Sequence, residues 1–181
     1  LNVQAGTGGF GSANRLTGGK AVRPSPGAAT LLHDNSQTLG SLSGAGNVNL
    51  GSGTLTTGTN GGSTAYGGVI SGTGGLAKSG TGVLTLTGAN AYTGATTVNA
   101  GTLQLGAAER LSNSSALNVL AGASVDLNGS NETVASMAGA GAIQLGAAGA
   151  TLATAGTTTT AFSGVLAGTG NLTKGGSGTL T

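Results

Sequence analysis

Apolar and polar residues alternate along this chain in short runs, and glycine, asparagine or serine interrupts nearly every run. Val69–Ser71, Val83–Leu86, Thr96–Val98, Thr102–Leu105, Leu117–Leu120 and Ser124–Leu127 are such runs, followed by Thr133–Met137, Ala142–Leu145 and Thr151–Thr154. Alternation with a period of two places one set of side chains on a buried face and the other in water, which predicts β-strands. Ala107–Leu111 is the one helix-like stretch, and it supports a single turn at most. Strands this short are not stable alone, and glycine in their flanks weakens them further. Stacking them coil on coil resolves both problems. Each strand then pairs in parallel with its neighbours about 4.8 Å above and below, and every coil buries its inward side chains on the next. The pattern therefore predicts an all-β solenoid of several coils with no globular core.

The chain also repeats itself. Residues 68–80 read GVISGTGGLAKSG and residues 164–176 read GVLAGTGNLTKGG; residues 44–51 read GAGNVNLG and residues 139–146 read GAGAIQLG. The correspondence extends to residues 27–86 against 122–181, with one insertion or deletion between Gly51 and Gly68. A repeat of this length holds many short strands, so it predicts several coils of one continuous solenoid spanning residues 1–181 rather than two domains. Residues 7–26 have no counterpart and are expected to form a loop insertion. They carry Arg15, Lys20 and Arg23 and both prolines. The absence of an initiating Met and the mid-repeat ending lead to the expectation that this is a fragment of a longer polypeptide, so missing targeting signals carry no weight.

Composition supports a thin core. Charged residues make up 6% and aromatic residues 2% of the 181 positions, with 39 Gly, one Met and no Trp; typical globular chains are about 25% charged. Small and aliphatic side chains fill a core one side chain deep, but not a thick one. The net charge of +2 is spread thinly and forms no basic stripe with interleaved aromatics, which argues against nucleic-acid binding. Without cysteine there are no disulfides and no thiolate metal sites.

Residues 67–105 read GGVISGTGGLAKSGTGVLTLTGANAYTGATTVNAGTLQL. This stretch resembles the passenger-associated transport repeat (autotransporter-associated β-strand repeat) of bacterial autotransporters, GxIxGxGxLxKxGxGxLxLxGxNxYxGxTxVxxGxL, and fills nearly every position of it. A second copy begins at Gly164. The resemblance implies a right-handed parallel β-helix of an autotransporter passenger domain, exported and carried to the cell surface or the extracellular space of a Gram-negative bacterium. Its implied partner is a C-terminal translocator β-barrel in the same polypeptide.

No residue pattern announces catalysis. Lys78 and Lys174 share a repeat position, and either bind a ligand as repeated cations or are exposed or corner lysines that limit lateral sheet association. Tyr92 either stacks on a sugar or packs over a coil corner. Tyr66 and Phe162 are repeat equivalents, an exchange that favours the ring over the hydroxyl. His33 and Asp34 are the one titrating pair suited to general-base work, but neighbours on a strand point to opposite faces. Asp34 and Asp126 are too few for a calcium-binding β-roll, and one His with four acids is too few for structural zinc. The run Thr157–Thr160 reads as a loop rather than a flat ice-binding array. Catalytic, cofactor and metal sites are all expected to be absent.

Three functional readings follow. The leading one is a stalk or adhesin-type segment of a secreted or surface-exposed passenger, not an enzyme, with polar ladders available to a host or matrix ligand. The second is a self-associating subunit of an extracellular filament or biofilm matrix. The third is a pedestal for an enzymatic domain elsewhere in the chain.

Overall fold

The computed structural model describes residues 2–3, 6–9, 20–31 and 34–181. Its strands are all paired in parallel, in a β-solenoid of about eight turns with no helix among the described residues. Three columns of strands wind round one axis. Face A stacks Asn2–Val3, Ala21–Pro24, Ser41–Leu42, Thr64–Tyr66, Val83–Leu86, Gly101–Leu105, Ala123–Asp126, Ala142–Gly146 and Val165–Gly168, joined across Gly44 and Tyr66 by a single bridge. Face B stacks Gly6–Gly9, Ala28–Leu31, Asn47–Asn49 and Ile70–Ser71, then resumes with Glu132–Val134, Thr151–Thr154 and Asn171–Lys174. Face C stacks Gln37–Thr38, Leu55–Thr57, Leu76–Lys78, Thr96–Val98, Ala116–Val119 and Ser136–Gly139, and bridges at Phe162 and Leu180 continue it. The chain runs A to B to C and back to A.

The alternation explains the filling. On face A the inward residues Leu84, Leu103, Val125 and Ile143 lie in register, and each is at most 2% exposed. Leu76, Leu117 and Met137 do the same on face C. Burying one such side chain contributes about 1.5–3 kcal/mol, so repeated thin layers stabilise what no single coil could.

Where residues 7–26 were expected to form a loop, their two ends are strands. Gly6–Gly9 pairs with Ala28–Leu31, and Ala21–Pro24 lies between Asn2–Val3 and Ser41–Leu42. Arg15 lies outside the described residues. Val22 and Pro24 point inward while Ala21 and Arg23 point out, so this segment follows the same alternation despite its proline. Thr133–Met137, read as one strand, divides into Glu132–Val134 on face B and Ser136–Gly139 on face C. The chain turns at Ala135 without the glycine or asparagine that marks most corners. Ala107–Leu111 forms bends and no helical turn, and residues 157–159 are irregular.

Turn length is uneven. Paired residues lie from 18 positions apart (Gln37 with Leu55) to 23 (Ile143 with Leu166). The 95-residue repeat therefore does not equal a whole number of turns. Ala28–Leu31 is on face B, but its counterpart Ala123–Asp126 is on face A. Leu76–Lys78 is on face C and its counterpart Leu172–Lys174 is on face B. Tyr66 is on face A, and Phe162 continues face C. Every matched pair is displaced by the same third of a turn, so one repeat advances the solenoid by four turns and two faces. Recurring residues thus wind round the shaft instead of lining one side.

Candidate functional site

The repeat-encoded polar residues gather at the corners, and the structure places most of them inside the wall. Lys78 is 1% exposed. Its side chain lies against Gly58, and Nζ donates to the carbonyls of Ser79 (2.9 Å), Gly80 (2.9 Å) and Ala100 (3.2 Å). Ala100 belongs to the next coil. Lys78 is therefore neither an exposed cation nor a guard against lateral association; it clips the corner between faces C and A to the coil above. Burial lowers its pKa. Lys174 makes the corresponding contacts to Gly175 and Gly176 but is exposed, as are Val165, Leu166 and Leu172 on the same terminal coil.

The two tyrosines are fully buried, and burial raises both pKa values. Tyr66 Oη donates to the Gly46 carbonyl at 2.5 Å, so the hydroxyl has a role that the Tyr66/Phe162 exchange concealed. Tyr66→Phe is expected to cost about 1 kcal/mol, the net value of one hydrogen bond, measured by denaturant unfolding. A native-like fold is expected, because Phe162 fills the counterpart site. Tyr92 packs at its corner, and its hydroxyl meets Thr96 Oγ1 at 2.6 Å. Thr96 Oγ1 meets Ser115 Oγ at 2.8 Å, and Ser115 Oγ donates to the Gly94 carbonyl at 2.8 Å. All three side chains are buried, which places Tyr92 out of reach of a sugar.

Face B lacks regular strands between Ile70–Ser71 and Glu132–Val134, and two side chains bridge the gap. Asn90 Oδ1 accepts from Ile70 N at 2.8 Å, while its Nδ2 donates to Arg110 O at 2.7 Å and to Gly88 O at 3.2 Å. Glu132 then takes Arg110 N on Oε2 at 2.8 Å and Leu111 N on Oε1 at 2.9 Å. Side-chain oxygens thus stand where neighbouring strands would offer carbonyls, answering the demand that buried backbone groups be paired. Glu132 is 1% exposed. Burial pushes its pKa up to about 7, against the opposing pull of the two backbone N–H groups. Residue motifs did not reveal this role; the signal was an acid aligned with Gln37, which is itself fully buried.

Outward polar side chains pair with one another along face A. Thr102 and Ser124 hydroxyls lie 2.8 Å apart, Thr85 Oγ1 donates to Gln104 Oε1 at 3.1 Å, and Gln104 Nε2 donates to Asp126 Oδ2 at 2.9 Å. Asp126 Oδ1 also accepts from Asn128 N at 2.8 Å, and Asp34 Oδ1 accepts from Ser52 N at 2.6 Å. Both aspartates fix backbone turns. His33 lies outside the described residues. Among the described residues no group of three or more His, Cys, Asp or Glu is placed to hold a metal ion.

Residues 76–105 match the model of the passenger-associated transport repeat family. The chain carries an autotransporter passenger repeat. The matched stretch includes the Lys78 clip, Asn90, Tyr92 and face A strands that stack in register. The chain is also 37% identical over 119 residues to the adhesin BmaC autotransporter of Brucella suis biovar 1 (strain 1330). That alignment covers 63% of this chain and 4% of the relative, so the chain spans a small part of the length of the protein it matches. No solved structure matches at a significant level.

Proposed function

We propose that this chain is an adhesin-type segment of an autotransporter passenger, exposed at the surface of a Gram-negative bacterium, where it acts as a rigid non-catalytic shaft. The observation that carries this reading is a transport repeat whose signature lysine and asparagine bond from coil to coil and whose signature tyrosine is buried at its corner. The similarity to an autotransporter adhesin supports the same reading. Export uses a β-barrel in the same polypeptide. About eight turns at roughly 4.8 Å each give a shaft of about 40 Å. Its small polar outer side chains offer weak contacts that gain strength when many act together.

Removing residues 27–121 from the parent polypeptide deletes one repeat and should shorten the surface structure by about 22 Å, at about 4.8 Å per turn, while leaving export intact. Atomic force microscopy of displaying cells reads the height, and a flow-cell assay on host or matrix surfaces reads attachment. Reduced height with weaker attachment is expected. Unchanged height and attachment together would refute the shaft reading.

A further inference from the structure

The corner where Glu132 crosses the gap in face B stands apart from the rest of the wall. Glu132 holds two backbone N–H groups of the preceding coil and stacks in register under Leu152 of the following one. Thr133 Oγ1 donates to Glu109 Oε1 at 3.0 Å, tying the same two coils together. Among the charged and titratable groups around the carboxylate, Glu109 opposes its negative charge, Arg110 favours it weakly, and Tyr92 stays neutral because burial raises its pKa. The Arg110 guanidinium is engaged elsewhere: Nε donates to Ala108 O at 2.8 Å and Nη1 to Thr87 O at 3.1 Å. A carboxylate buried without a counter-ion is expensive when ionised. The counterpart position in the first copy holds the uncharged Gln37.

We propose that Glu132 is a proton-operated lock on this corner: the coils at 109–111 and 131–134 hold together most firmly when Glu132 carries a proton, and they part locally when it ionises. Ionisation brings in no new partner, so water must enter to solvate the charge, and the gap in face B is where the backbone ladder offers least resistance. The sign follows from linkage. A carboxyl whose pKa is higher folded than unfolded gives stability that is complete below the unfolded value and is lost as pH rises through the folded one. The window therefore runs from the ordinary glutamate range to about pH 7. The solenoid becomes looser at this corner in neutral surroundings and tighter in acidic ones, without change elsewhere on the shaft.

Hydrogen exchange of the Arg110 and Leu111 amides, corrected for the intrinsic pH dependence of exchange, tests the lock in the intact chain. Between pH 5.5 and pH 8.5 their opening equilibrium should rise at least tenfold, up to about a hundredfold, while the amides of Leu84 and Leu103 stay constant. In Glu132→Gln the rise should vanish. A wild-type equilibrium that does not change with pH would overturn the proposal, and so would a rise that persists in the variant. Should the variant not fold, carbon-13 titration of the Glu132 carboxyl in the wild type decides. A midpoint near 7 supports the lock, and one at the ordinary glutamate value refutes it.

Discussion

Gly68→Ala is expected to destabilise the solenoid by about 3 kcal/mol or more, at or above the upper end of what forced overpacking usually costs. A Cβ at Gly68 would run into the Gly46 carbonyl of the coil below and approach Tyr66 Oη to 2.6 Å. Neither obstacle is a flexible side-chain end. Gly46 is tied through its N–H to the Pro24 carbonyl and through its own carbonyl to Tyr66 Oη, and the tyrosine ring is fully buried. Gly164 meets the matching pair, the Gly141 carbonyl and the Phe162 ring, so the conflict is built into both copies. Gly122→Ala is the control. Its Cβ would meet nothing within 4 Å, but its φ of +81° is unfavourable for an L-residue, which costs about 1–2 kcal/mol. Guanidinium unfolding, followed with amide exchange near Tyr66 because repeat structures need not melt as one unit, should separate the two variants clearly. Equal losses would show that the coils can shift apart at Gly68 and that the packing there is not rigid.

Lys78→Met comes second, at about 3 kcal/mol. Methionine keeps the length and apolar character of the stem but leaves the Ser79, Gly80 and Ala100 carbonyls without their donor. An unsatisfied buried acceptor costs about 1–3 kcal/mol, and removing a buried charge returns part of the total. Lys174→Met should have a much smaller effect, because Lys174 is exposed and bonds only two carbonyls of its own corner. Thermal unfolding of both variants measures the contrast. A Lys78→Met loss no larger than that of Lys174→Met would dismiss the clip.

The readable part of the fold was the part governed by local alternation. Val83–Leu86, Thr96–Val98 and Thr151–Thr154 appear with the predicted bounds, because their inward leucines, valines and threonines follow the two-residue period of the pleat. Ala135 shows where that reading stops. The chain turns there on a small residue that also suits a strand, and only the different neighbours of Glu132–Val134 and Ser136–Gly139 separate the two faces. Read from the sequence, Lys78 is an exposed or corner residue; the structure keeps it at a corner but encloses it. Its burial requires the Ala100 carbonyl, 22 positions away. Asn90 and Glu132 were illegible for the same reason, since each acts on backbone groups about one turn distant.

By itself, the sequence determined that this chain is a thin, parallel, repeating β-structure that carries a passenger-associated transport repeat at residues 76–105. Short alternating runs, abundant glycine and a near-complete repeat motif allow little else, because no thick core can be made from these side chains. Only the tertiary structure decided how the repeat is phased. Corner lengths vary so that a turn takes from 18 to 23 positions, and no local pattern adds those variations together. Their sum leaves each copy a third of a turn out of step with the last. It also sets a buried carboxylate across the gap in face B.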